Sequence, residues 1–246
     1  MVIGTWNVRS WFKPGAMKET ITELRKYKID ICGLQEIRWK GNGILQKKDE
    51  TIYYSGNNMA RTEFGTGFYV NKRIQDKIID FEPISERICK LRVKTKAHNI
   101  TLITVHAPTE EKDSDTKEAF YNQLERIYDK APTYDMKIII GDLNAKIGKE
   151  PYYYPTIGKS SAHDVSNDNG YRIIHFAASR NMTISSTWFP HKKIHTVTWQ
   201  SPDGQVENQI DHVITDKRHC SNILDVRSRR GANSDSDHYL LAVKLR

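Results

Sequence analysis

The chain has 246 residues, with 38 Lys and Arg against 30 Asp and Glu, for a formal net charge of +8. With 38% hydrophobic and 28% charged residues it is too apolar for a disordered chain, and no run approaches the roughly 20 apolar residues of a membrane span. Length and composition suit one globular domain over 1–246 with a polyanionic partner, nucleic acid first and an anionic membrane surface second, and exclude a fibrous or membrane-spanning protein.

Taken in order, residues 2–8 read as a strand and residues 17–27 as a helix. Residues 29–35, rich in β-branched side chains, form the next strand, and residues 68–70 another after the Gly65–Gly67 turn signal. Residues 88–95 and 100–106 flank Ala97-His98-Asn99 as a hairpin. Asp115 and Glu118 suggest a capping box, followed by Phe120, Leu124 and Ile127 at helical spacing up to about Tyr128. Residues 136–141 carry three consecutive Ile, as in a strand buried on both faces. Residues 171–178 predict a helix, and 196–199, 209–214 and 238–243 predict strands. Strands dominate late, which predicts a layered α/β fold with mostly antiparallel sheets covered by helices. Three cysteines, Cys32, Cys89 and Cys220, are far apart and make no CxxC pair, so a disulfide framework is not expected and a reducing compartment is.

Several apolar runs end in a carboxylate or amide. Asp142 emerges from the isoleucine run, with Asn144 two residues on; it is either a turn Asp accepting backbone bonds or part of a site. Glu36 ends a second run, either as a surface partner of Arg38 or as a carboxylate for a hard cation. Asp237-His238 can orient an imidazole or merely cap a strand. Asp211 lies within an alternating strand and could serve that His or be a satisfied half-buried Asp. Asn7 is an amide in a core-like strand, either a structural hydrogen bond or a metal or phosphate contact; Thr198-Trp199 fits core packing. Lys192, Lys193 and Arg227–Arg230 could track phosphates or be solvated charges. P-loop, dinucleotide-binding and HExxH signatures are absent from the sequence.

In order, TWNVRS, LQE, VHAPT, GDLNAKIG, TW, NQIDHVITD and SDSDH resemble the endonuclease/exonuclease/phosphatase superfamily along nearly the whole chain. TWQSPDGQVENQIDHVI, with NDNGYRIIHFA upstream, resembles the endonuclease domain of RTE-type non-LTR retrotransposons. The resemblance implies a four-layer α/β sandwich of the DNase I type, with two mostly antiparallel sheets flanked by helices. It implies a Mg²⁺-dependent enzyme, with Mn²⁺ as a substitute, that nicks one DNA strand and leaves a 3′-hydroxyl to prime reverse transcription; the alternatives are another phosphoesterase of the superfamily (an abasic-site endonuclease or an RNA or small-molecule phosphatase) and a nucleic-acid-binding domain that has lost activity. By the same resemblance Glu36, Asn7 and Asp237 serve the metal; Asp142 activates water; Asn144 and His238 contact the phosphate; and Asp211 fixes the His238 tautomer. His106 stands among the catalytic groups, where the superfamily usually has Tyr, and Arg9 where the apurinic enzymes have Asp. Thr198, Trp199, Arg9, Lys192, Lys193 and Arg229 are the expected nucleic-acid contacts, and loops 41–50, 152–169 and 190–195 the expected readers of target shape. The implied partners are double-stranded DNA and, in the full-length element, a reverse transcriptase domain. The chain itself is expected to be monomeric, nuclear or shared between nucleus and cytoplasm, and either an excised domain or a stand-alone protein.

Overall fold

The computed structural model describes residues 1–59 and 62–246. In chain order the elements are β1 (Val2–Asn7), α1 (Ala16–Lys26), β2 (Ile31–Gln35), β3 (Asn42–Gln46), β4 (Glu50–Ser55), β5 (Thr66–Asn71), β6 (Ile78–Pro83), β7 (Ile88–Val93) and β8 (Ile100–His106). They continue with α2 (Ser114–Lys130), β9 (Met136–Asp142), α3 (Asp168–Ser179), β10 (Met182–Ile184), β11 (Trp199–Gln200), β12 (Glu207–Asn208), β13 (Asp211–Asp216), β14 (Ile223–Arg229) and β15 (Leu240–Leu245). One sheet runs β14-β15-β1-β2-β5-β4-β3, a second runs β10-β13-β9-β8-β7-β6, and β11 pairs with β12 apart. Among the described residues, only β1–β2 and β8–β9 pair in parallel.

Alternation along the strands explains the layers. In β9, Ile138 and Ile140 point into the core between the sheets with Ile3, Phe68 and Leu241, while Ile139 faces α2 and α3 with Leu124 and Ile173. Both faces of β9 are covered, so its isoleucines are consecutive rather than alternating with polar residues. On the far side, Ile21 and Leu24 of α1 cover Trp6, Leu34 and Tyr69 of the first sheet. The result is the four-layer α/β sandwich, helix over sheet over sheet over helices.

Near one end the inward-facing positions turn polar. Gln35 donates to the Thr104 hydroxyl at 2.8 Å across the sheets, and Thr5 hydrogen-bonds the same amide. Gly33 permits this approach: a Cβ there would lie 2.7 Å from Thr104 Oγ1.

Several expectations are corrected. Asp113, not an Asp115–Glu118 box, caps α2 by accepting from Thr116 N at 2.8 Å. The strand expected at 196–199 is reduced to Trp199–Gln200, because Lys193–His195 forms a 3₁₀ turn. That expected at 238–243 starts at Leu240, with His238 making one bridge to Trp199. Strands β3, β4, β6, β10 and β14 had no expectation. In β3 and β6 the apolar residues are too few or too exposed to mark a strand, and β14 is rich in Arg.

Candidate active site

The site grows out of the polar end of the intersheet layer. Parallel pairing brings the C-terminal ends of β1 and β2 together in one sheet and those of β8 and β9 together in the other. In register, His106 stands beside Asp142, and Asp211, at the start of antiparallel β13, stands on its other side. Alternation then places Asn7, His106, Asp142 and Asp211 on inward faces, one step beyond Thr5, Thr104, Ile140 and Val213. Just past the strands, Arg9, Glu36, Arg38 and Asn144 take left-handed φ values of 53°, 55°, 61° and 48°. Non-glycine residues reach that region at a cost, and four of them ring one cleft.

Asn7 bridges the two sheets. Its Nδ2 donates to Glu36 Oε1 and to Asp142 Oδ2, both at 3.0 Å, and its Oδ1 accepts from Arg9 N at 3.0 Å. Arg38 donates to Glu36 Oε2 at 2.6 Å. Burial opposes ionisation of Glu36, yet His106, Asn7 and Arg38 leave its carboxyl below the usual range.

His238 Nδ1 lies 3.0 Å from Asp211 Oδ2, and its Nε2 lies 3.7 Å from Asp142 Oδ2. Burial disfavours the imidazolium, but Asp211 and Asp142 outweigh it and raise the His238 pKa to about 10. Burial pushes the Asp142 carboxyl up; His238 works against this and the Asp211 charge adds to it. Asn144 N donates to Asp142 Oδ1 at 3.0 Å, and Asn144 Nδ2 donates to the Ala107 carbonyl at 3.0 Å, so one amide hydrogen remains for a ligand. His106 is 5% exposed, and burial holds its pKa below the ordinary value despite Asp142 and Glu36.

Arg9, Glu36, Arg38, His106, Asp142, Asn144, Lys146, Trp199, Asp237 and His238 line one open cleft. Asp237 reaches it beside Trp199, whose indole donates to Asp237 Oδ2 at 3.2 Å. The donor set suits a hard divalent cation: Glu36 and Asp142 flank Asn7, Asp237 lies on the same cleft, and carboxylate oxygens are what Mg²⁺ and Mn²⁺ accept.

Four expected nucleic-acid contacts lie elsewhere. Thr198 is fully buried, and its hydroxyl accepts from Ile210 N and Asp211 N at 3.0 and 3.1 Å; it positions Asp211 and offers no surface. Lys192 lines a separate groove with His191, His195 and Arg227; Lys193 pairs with Glu207 at 3.0 Å; and Arg229 sits over the Tyr27 ring on β14. Arg9 and Trp199 do line the cleft.

Other contributors went unread in the sequence. Ser236 donates to the Asn7 carbonyl at 2.6 Å and accepts from His238 N at 3.1 Å, tying β1 to the His238 turn. His212, fully buried, lies 2.8 Å from the Ala145 carbonyl and 2.8 Å from Ser186 Oγ, which braces the loop carrying Asn144. Asn169 donates to the Pro108 and Asn144 carbonyls at 3.0 Å each. Ser236 and Asn169 fall inside the matching motifs, which was their signal; His212 reads only as an ordinary strand residue.

A family model described as Endonuclease/Exonuclease/phosphatase matches residues 4–238. Craniofacial development protein 2 of Tragulus javanicus is 37% identical over 244 residues, and that of Bos taurus 36%, in each case across 99% of this chain. The chain spans only 42% and 40% of those two proteins. Among solved structures, the endonuclease domain of TRAS1, a telomere-specific non-LTR retrotransposon, has a TM-score of 0.67 at 17% identity, over 100% of this chain and 97% of that one. The AP endonuclease LMAP from Leishmania major has a TM-score of 0.72 at 13% identity, covering 100% and 87% of the two chains. The 3′-5′ exonuclease NExo from Neisseria meningitidis has a TM-score of 0.71 at 19% identity, covering 100% and 99%. At these identities the structural likeness is one of fold.

Proposed function

The chain belongs to the endonuclease/exonuclease/phosphatase family, and on that premise we propose that it is a metal-dependent DNA endonuclease that nicks one strand and leaves a 3′-hydroxyl. The observation that carries this reading is the Asp211–His238 pair facing Asp142 at the head of a cleft that also holds Glu36. The TRAS1 likeness and the +8 charge support DNA as the substrate class.

Phosphodiester hydrolysis needs a positioned nucleophile and positive charge over the developing oxyanion. Asp211 fixes His238 in the orientation that presents Nε2 to the cleft, so the imidazolium can donate to a phosphoryl oxygen. Asp142, held by Asn7 and by Asn144 N, is a carboxylate with raised basicity that can orient an attacking water and take its proton. Glu36, with Asn7 beside it and Asp237 on the cleft wall, would hold Mg²⁺ or Mn²⁺, which supplies Lewis-acid stabilisation of the leaving oxygen. Arg9, Arg38 and Lys146 offer charge to flanking phosphates. On this reading the partner is double-stranded DNA, the chain acts as a monomer within a longer polypeptide that carries a reverse transcriptase, and its work is in the nucleus.

The test is nicking of supercoiled plasmid with Mg²⁺, beside EDTA and Asp142→Ala controls. Open circles that vanish in both controls, with ends a polymerase extends directly, are the expected result. Faster cleavage of an abasic duplex than of an intact one would move the assignment to abasic-site repair, and salt-sensitive binding without cleavage to a DNA-binding module.

A further inference from the structure

We propose that His106 is a nitrogen ligand of the divalent cation and turns this site from magnesium toward manganese and related transition ions. The inference rests on the reading of Glu36 as the metal carboxylate.

His106 is the last residue of β8, the register neighbour of Asp142. Its ring is 5% exposed, and neither nitrogen makes a hydrogen bond among the described residues. Nδ1 is closed off without a partner. Nε2 sits 3.9 Å from Glu36 Oε1 and 3.7 Å from Asp142 Oδ2, beyond hydrogen-bond reach of both yet aimed between them. Nε2, which faces the two carboxylates and makes no hydrogen bond, is the nitrogen free to give its lone pair to a cation, with the ring proton then carried on Nδ1.

The ring is placed by packing and backbone, not by a polar contact of its own. It meets the edge of Phe64 with centroids 5.7 Å apart. Arg87 stacks on Phe64 at 3.8 Å and donates to the His106 carbonyl at 3.1 Å, while His106 N donates to Arg87 O at 2.8 Å. A rigid nitrogen between two carboxylates is a mixed nitrogen and oxygen donor set. Mg²⁺ prefers oxygen throughout and imidazole suits transition ions; Mn²⁺ favours oxygen too, but as a transition ion it accepts a nitrogen more readily than Mg²⁺ does.

The test loads the intact chain with Mn²⁺ alone and reads it by electron paramagnetic resonance. Free-ion signal gives affinity, and electron spin echo modulation reports directly bound nitrogen-14. Wild type is expected to show imidazole modulation that is lost in both His106→Tyr and His106→Asn. Mn²⁺ affinity is expected to fall at least about tenfold in both variants while Mg²⁺ competition changes by less than about threefold. Thermal unfolding confirms that at least one variant is folded. Mn²⁺ bound in a Glu36-dependent way without nitrogen modulation, or with modulation that survives both variants, overturns the inference and leaves the proposed function standing. Mn²⁺ binding that is unchanged in Glu36→Gln overturns it together with the metal assignment beneath it.

Discussion

Asp211 stands directly opposite Asp142 across β13 and β9, and His238 is the cation held between their carboxylates. Two acids side by side in a buried layer repel, so the imidazolium is what makes their pairing tolerable. This stabilisation is fully present below the ordinary His pKa of about 6.5 and is lost as pH rises through the folded value of about 10.

Asp211→Asn keeps the shape and removes one of the two charges. Nicking is expected to fall at least about 10²-fold at neutral pH. The alkaline limb of the remaining activity should move to lower pH, because His238 then loses its proton more easily. A pH–rate profile checks this; an unshifted limb would show that His238 does not act as the charged donor.

Thr198→Val preserves volume and removes the acceptor for two backbone N–H groups, those of Ile210 and Asp211. A loss of about 1–3 kcal/mol in urea unfolding is expected, with nicking reduced beyond what the folded fraction explains. Full activity in the folded variant would mean that Asp211 is positioned by its strand alone.

His212 is buried and neutral, its pKa lowered to about 4 chiefly by burial. The unfolded chain binds this proton near pH 6.5, so the contribution to stability is present above that value and is lost as pH falls toward 4. The loss is about 3 kcal/mol over that window. Half-buried His163, also lowered to about 4, accepts from Gln209 N at 3.1 Å and acts in the same direction. Urea unfolding at several pH values should give a shallower acid dependence in His212→Asn than in the native chain; equal slopes would remove His212 as a cause.

Arg9 and Lys146 line the cleft, while Lys192 and Arg229 do not. Arg9→Ala and Lys146→Ala are each expected to weaken duplex binding and lower the salt slope by about one. Lys192→Ala and Arg229→Ala should leave both unchanged. Binding titrations at several salt concentrations decide the matter, and a reversed pattern would place the DNA on the groove beside β14.

Much of this protein is legible in its sequence because strand alternation is local. Ile3-x-Thr5-x-Asn7 and Ile138-x-Ile140-x-Asp142 each carry an inward face that starts apolar and ends polar, and the run ending in Glu36 stops at the same boundary. The residues at the strand ends, and the family, follow from that pattern and the motifs around it. Which strand ends meet is decided by the tertiary structure. The pairing of Asp142 with Asp211 depends on the register of strands about 70 residues apart, set by backbone hydrogen bonds that leave no mark on composition. The same holds for Thr198, whose hydroxyl turns inward to the backbone, and for Lys192, Lys193 and Arg229, whose charge is plain in the sequence but whose direction is not. Local chemistry dictates which face a side chain takes; only the packing of the two sheets decides which other side chains share it.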